Sequence, residues 1–274
     1  RFSSLPPVAL ANPLSEETPL LRNSLAPGML EMIAHNLNRG TTDVQLFEAG
    51  RIFIAQGDPA QLQVREKKAL CLGATGNAVP GGIQTQPRAF SFYDLKGAVE
   101  EIAGSFSSQS LSFESPAATY YHPGGSALIK MEGKTVGQLG QIHPALISER
   151  KLRQEIFVAE LDLGLLLQFA MRGPRYTRLS RFPAVERDFS FVLGNQVVFA
   201  QIAQAVRQLQ IAELRSIAPR EIFRGGAVPE GKYSLLLSAS FQSTERTLRD
   251  DEVALWSNQI IQAVAALGGT LRSS

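Results

Sequence analysis

Few side chains in this sequence have the type and spacing to carry chemistry. The three histidines, His35, His122 and His143, lie far apart, and two of them precede proline. No Cys, Asp or Glu accompanies them at metal-ligand spacing, so they read as loop hydrogen-bonding and packing residues. The single cysteine, Cys71, sits in the apolar run ALCLGA and reads as a small buried hydrophobe in a strand. One thiol cannot form an internal disulfide, which fits the cytoplasm. No Ser-His-Asp order, paired-carboxylate signature or phosphate-binding loop is found. What remains is charge and rings. Arg172, Arg175, Arg178 and Arg181 recur every third residue. They could face phosphates, with the salt sensitivity that implies, or be a solvated linker with stems lying on either neighbour.

The elements that must position such groups are clearest near the C-terminus. From Arg187, Phe189, Phe191 and Leu193 alternate with Asp188, Ser190 and Val192, the period of a half-buried strand. In Gly231–Phe241 the residues Tyr233, Leu235, Leu237, Ala239 and Phe241 share one face, while Ser234, Ser238 and Ser240 share the other. Those exposed faces are small and polar, a sheet on which something else could sit. Phe199, Ile202, Val206 and Leu209, and then Val253, Trp256, Ile260, Val264 and Leu267, follow helical spacing. Asp250, Asp251 and Glu252 suit the start of the second helix and Gly268-Gly269 its end. With strands at 216–224 and 270–272, the order is strand, helix, strand, strand, helix, strand, the ferredoxin-like arrangement. Both helices are expected on one sheet face, leaving the other open.

The first part reads as an antiparallel-leaning sheet with a few helices, α+β in class. A helix begins near Pro27 and stops at Gly40, and a strand at 44–54 looks buried on both faces, as a central strand would be. A polar loop covers 55–66, a strand 69–74, a loop 76–87 and a helix 93–106. Strands follow at 111–114, 126–131 and 135–141, with Gly133-Lys134 as the hairpin turn. A short helix to about Leu152 and a strand at 156–163 close the domain.

With 274 residues, 44% apolar and 19% charged, the chain has the composition of a soluble globular protein with room for two domains. No apolar run reaches the length of a membrane span and no secretory signal is present, so no membrane partner is expected. The chain starts at Arg1 without Met and is expected to be a piece of something longer. Residues 1–170 carry 14 basic against 16 acidic side chains, net −2, and residues 171–274 carry 13 against 9, net +4. Any preference for a polyanion therefore belongs to the C-terminal third.

The pieces RFPAVERDFSFVL, EIFRGGAVPEGKYSLLLSASFQSTERTLRDDEV and GGTLR resemble the ferredoxin-fold anticodon-binding domain that ends the bacterial phenylalanyl-tRNA synthetase beta subunit. LANPLSEETPLLRNSLAPGMLEMIAHNLNRG, VQLFEAGRIF, YYHPGGSA, VGQLGQIHP and FVAELDLGLLL resemble, in the same order, the catalytic-like module of that subunit. The resemblance implies a class II synthetase-like antiparallel sheet domain at 1–168, a linker at 169–180 and a ferredoxin-like βαββαβ domain at 181–274. It also implies loss of catalysis. A working class II site holds the ATP phosphate with a motif-2 Arg, whose fork suits phosphate. Here that strand reads Phe47-Glu48-Ala49-Gly50-Arg51, and no Gly-rich motif ending in Glu-Arg-Leu follows. Glu48 and Arg51 are expected to be a structural pair or interface contacts.

The family's Phe-Asp-x-Tyr-x-Gly motif aligns with residues 220–225. By that alignment Phe223 stacks on an anticodon base and Glu221 replaces the Asp, while Ser234 bonds a base edge. Ser190 joins them from the first strand's polar face, and Arg224 and Lys232 are candidates for phosphate. Arg187 with Asp188 is read as an internal pair at the strand start. No residue is assigned to catalysis or to a metal. The implied function is tRNA-Phe anticodon binding within a phenylalanine-tRNA ligase, the first domain packing on the catalytic alpha subunit of an alpha2-beta2 heterotetramer. ATP and magnesium would be used by the whole enzyme and no cofactor by this part. The alternative is a free-standing RNA-binding paralogue without an alpha subunit.

Overall fold

The computed structural model describes residues 7–13, 19–57, 63–108, 110–174, 176 and 179–272. Arg175 and Arg178 of the linker series lie outside them. The chain divides into two units, 1–174 and 175–274. The first contains β1 (Val8–Ala9), β2 (Leu20–Leu21), α1 (Ala26–Asn38), β3 (Val44–Gln56), β4 (Gln63–Thr75), β5 (Asn77–Val79) and β6 (Arg88–Ala89). It continues with α2 (Phe92–Gly104), β7 (Leu111–Glu114), β8 (Tyr121–Met131), β9 (Lys134–Ile142), α3 (Pro144–Glu149), β10 (Ile156–Asp162) and α4 (Leu163–Leu166).

Its main sheet is six-stranded and antiparallel, in the order β3-β4-β10-β9-β8-β7. Strand β10 sends Ile156 and Val158 to the cluster under α1, and Phe157, Ala159 and Leu161 to the cluster under α2. Burial on both faces makes Ile156–Leu161 apolar apart from Glu160. The Glu160 carboxylate accepts from the Ser24 hydroxyl at 2.8 Å and the Leu25 N–H at 2.6 Å, anchoring the start of α1. Burial pushes the Glu160 carboxyl up, opposed by those two donors. Cys71 is fully buried beside it, and desolvation raises its thiol far above the usual range, which removes thiolate chemistry.

Several expectations for this unit change. Strand β3 is an edge strand whose only ladder partner among the described residues is β4. Its Val44 and Leu46 join the α1 cluster, whereas Phe47, on the opposite face, is 76% exposed. Apolar residues on both faces imitated a central strand, although α2 packs chiefly over β9 and β10. Glu48 and Arg51 do not pair with each other. Glu48 meets Arg22 at 2.6 Å and Arg51 meets Glu66. Of the expected loop at 55–66, residues 55–56 and 63–66 are strand, and 58–62 lie outside the described residues. The loop expected at 76–87 contains β5, paired with β6. The hairpin turn is Glu132-Gly133, both at positive φ, with Met131 opposite Lys134, as a two-residue turn of this hand requires.

The boundary also moves. Residues expected in the linker bond into the first unit: Ser107 N–H donates to Ala170 O and Arg172 N–H to Ser105 O, each at 2.8 Å. The first unit therefore extends past residue 168. Ser180 belongs to the second, its hydroxyl bonding Ser243 O at 2.7 Å.

The second unit contains β11 (Val185–Gly194), α5 (Phe199–Gln208), β12 (Leu214–Phe223), β13 (Lys232–Phe241), α6 (Asp250–Ala266) and β14 (Thr270–Leu271). Its antiparallel sheet has the order β12-β13-β11-β14, the ferredoxin-like pattern. Phe189, Phe191 and Leu193 of β11 and Tyr233, Leu235, Leu237 and Phe241 of β13 pack against Ile202 and Val206 of α5 and Val253, Ile260 and Val264 of α6. The alternation thus puts Phe189, Phe191 and Leu193 of β11 on the helix side and Val192 on the other.

Helix α6 starts with Asp250, Asp251 and Glu252, where the macrodipole favours negative charge. Arg246 grips Glu252 through two bonds of 2.7 and 2.6 Å, and the Arg249 N–H adds a third at 3.1 Å. The Arg246 bonds, then the Arg249 N–H, hold the Glu252 carboxyl down at about 2 against an ordinary 4.5. A depressed carboxyl stabilises the fold above its unfolded pKa, and that contribution is lost as pH falls through the folded one. Arg246→Ala is therefore expected to lower stability at neutral pH. The deficit should shrink between pH 4.5 and 2, read from Trp256 fluorescence in denaturant titrations. A deficit independent of pH would reject the clamp.

Candidate nucleic-acid interface

The helices cover one face of the second sheet, and the pairing register defines the other. Phe223 lies opposite Ser234, which lies opposite Val192, and Glu221 opposite Leu236, which lies opposite Ser190. These two adjacent rows point away from the helices. Ser190, Glu221, Phe223 and Ser234 line one hollow of about 490 Å³. Phe223 is half exposed, at 50%, although it ends a strand whose start is partly buried. Its ring leans on the following turn, where a Cβ on Gly226 would sit 3.5 Å from it. Gly225 and Gly226 both have positive φ, at 85° and 58°, so this reversal depends on glycine.

Three further residues complete the hollow: Leu236, Ala227 and Arg272. Arg272 arrives because its N–H donates to Ser190 O at 2.8 Å just beyond β14. Sequence reading missed it since a two-residue strand has no periodicity to detect. Leu236 was hidden in the run Leu235-Leu236-Leu237, although parity alone places it on the open face. The face is accordingly less polar than expected, and Ser234 and Ser238 are buried, at 7% and 5%, on the central strand β13.

The two basic candidates stand apart from the hollow. Arg224 bonds Asn195 Oδ1, and its guanidinium lies 5.2 Å from the centre of the Tyr233 ring. Tyr233 in turn donates to Val197 O at 2.7 Å. Burial raises the Tyr233 hydroxyl, opposed by the Arg224 charge. Lys232 is exposed opposite Gly194 at the end of the ladder. Arg187 and Asp188 are successive strand residues and face opposite ways, which overturns the internal pair. Arg187 reaches Asp250 at 3.9 Å, and Asp188 lies opposite Ser238 on the open face.

Elsewhere, His122 and His143 accept turn N–H groups from Gly124 and Ala145, both at 3.2 Å. Among the described residues no group of three or more His, Cys, Asp or Glu side chains is placed to hold a metal ion, and no helix is long and apolar enough to cross a membrane.

The family model of the phenylalanyl tRNA synthetase beta chain CLM domain matches residues 3–163, and that of the ferredoxin-fold anticodon binding domain matches residues 180–272. Similar curated proteins include the phenylalanine–tRNA ligase beta subunits of Moorella thermoacetica, 36% identical over 267 residues, and Geobacter sulfurreducens, 34% identical over 269. That of Syntrophotalea carbinolica is 32% identical over 268 residues. Each alignment covers 97% of this chain and 33% of the relative, so the chain spans about a third of the length of the curated relatives it matches. With one model taking in more than half of its residues and the other most of the remainder, the chain belongs to the phenylalanyl-tRNA synthetase beta-chain family.

Proposed function

We propose that this chain acts in a phenylalanine–tRNA ligase by holding the anticodon of tRNA-Phe on the open sheet face of its second unit. The observation that carries the reading is the hollow at Phe223, in the region that matches the anticodon-binding model. A nucleobase needs a ring to stack on and polar groups at its edge. Phe223 supplies the ring. Glu221, as a carboxylate, accepts from base N–H groups, and the Ser190 and Ser234 hydroxyls both donate and accept. Arg272 is a donor at the opposite wall. The contribution to aminoacylation is positional: a tRNA gripped at its anticodon presents its acceptor end to a catalytic alpha subunit.

The first unit, in this reading, is a class II synthetase-like scaffold that packs on that alpha subunit in an alpha2-beta2 assembly in the cytoplasm. The antiparallel six-stranded sheet supports the class II comparison. Lack of catalysis is supported by β3, where Glu48 and Arg51 are already engaged by Arg22 and Glu66. ATP and magnesium are then handled by the alpha subunit. The test is a titration of the chain with tRNA-Phe and with the same tRNA carrying another anticodon. Weaker binding of the swapped tRNA is expected, and equal affinity for both rejects anticodon reading.

A further inference from the structure

Strand β12 is the edge of the second sheet, and its pairing with β13 breaks twice. Leu214 pairs with Phe241 and Ser216 with Ser240, leaving Arg215 as an extra residue. Pro219 pairs with Leu237 and Glu221 with Leu236, leaving Arg220 as another. Both extra residues are arginines, and both are exposed. A bulge takes its extra residue out of the ladder and re-aims its side chain. Among the described residues neither guanidinium has an ion pair or a side-chain hydrogen bond. Pro219, between them, lacks an N–H donor, so this edge is a poor template for another β-strand.

The adjoining face carries three carboxylates, with Arg272 as the cation at its hollow. Glu186, Asp188 and Glu221 all stand on the open side and are exposed. A nucleic-acid strand whose base occupies the hollow cannot run its phosphates over those carboxylates. Of the cations near Glu221 along the chain, Arg224 is bonded to Asn195, whereas the two bulged arginines, spread over roughly 15 Å of strand, stand unengaged among the described residues.

We propose that the outer edge of β12 is a phosphate rail, on which Arg215 and Arg220 hold the backbone of the single-stranded RNA whose base enters the hollow at Phe223. The rail rests on the RNA-binding reading above and adds a sequence-independent grip beside a base-reading site. Each guanidinium takes a phosphate through its forked donors, and each contact contributes to the salt dependence of binding.

The test uses the whole chain and fluorescent stem-loop RNAs carrying a phenylalanine anticodon or a swapped loop, titrated at several salt concentrations. The double variant R215A/R220A is expected to bind both RNAs about tenfold more weakly. Its plot of log affinity against log salt should be shallower by about 1.4, at ~0.7 per phosphate on a single strand. R215K/R220K should keep most of the affinity, since an ammonium still serves a phosphate as a point charge. If R215A/R220A leaves affinity and slope unchanged while Phe223→Ala weakens binding, the rail is rejected and the anticodon reading stands. Unchanged binding by both variants rejects the two together. A loss confined to the phenylalanine anticodon assigns these arginines to bases and also overturns the rail.

Discussion

Phe223→Ala is expected to weaken binding of a phenylalanine-anticodon stem-loop by roughly five- to 150-fold, the consequence of losing ~1–3 kcal/mol of base stacking. The fold should not notice. Phe223 is half exposed, ends an edge strand and contributes nothing to the helix-side core, and surface substitutions of that kind stay within about 0.5 kcal/mol. The denaturation midpoint followed at Trp256 should therefore match that of the unmodified chain. Phe223→Tyr keeps the ring and should keep most of the affinity. The salt slope should be unchanged in both, because stacking releases no counterions. That combination separates a ring that reads a base from an arginine that holds a phosphate. Alanine binding as tightly as phenylalanine would remove the stacking role and leave the hollow without a purpose.

The second unit was largely legible because its physics is local. Period-two alternation in β11 and β13 and helical spacing in α5 and α6 survive into the fold almost residue for residue. The hollow was half legible. Ser190, Glu221, Phe223 and Ser234 meet there, yet only a motif alignment drew attention to Phe223, since an aromatic at a strand end is as well suited to a core. What escaped depends on pairing across the chain. Whether β3 is central or at an edge is decided by its neighbours, and Phe47 looks the same in sequence either way. Glu160 is legible only once Ser24 and Leu25 are seen to donate to it from some 135 residues away. The bulges at Arg215 and Arg220 are mismatches between two strands and leave no mark on β12 read alone.

The sheet that carries the hollow depends on the core packed against its other face, and there the largest effect on stability is expected. Phe241 is fully buried, and its ring lies 5.6 Å from that of Trp256 with the planes 24° apart. Phe241→Ala removes that contact and leaves a void that β13, paired on both sides, cannot close. The expected loss is about 3–5 kcal/mol, a large part of the ~5–15 kcal/mol that stabilises a domain. Trp256 is the only tryptophan, so its emission reports directly on this core. The variant should show a lower denaturation midpoint and an altered Trp256 signal before any denaturant is added. Its RNA affinity should fall as well, but as a mixture of folded and unfolded molecules: the bound fraction recovers on cooling toward the temperature of maximal stability, whereas the deficit of Phe223→Ala persists there. A Phe241→Ala variant with the original midpoint would mean that the ring pair does not hold the sheet to α6, and the platform for the anticodon would need another support.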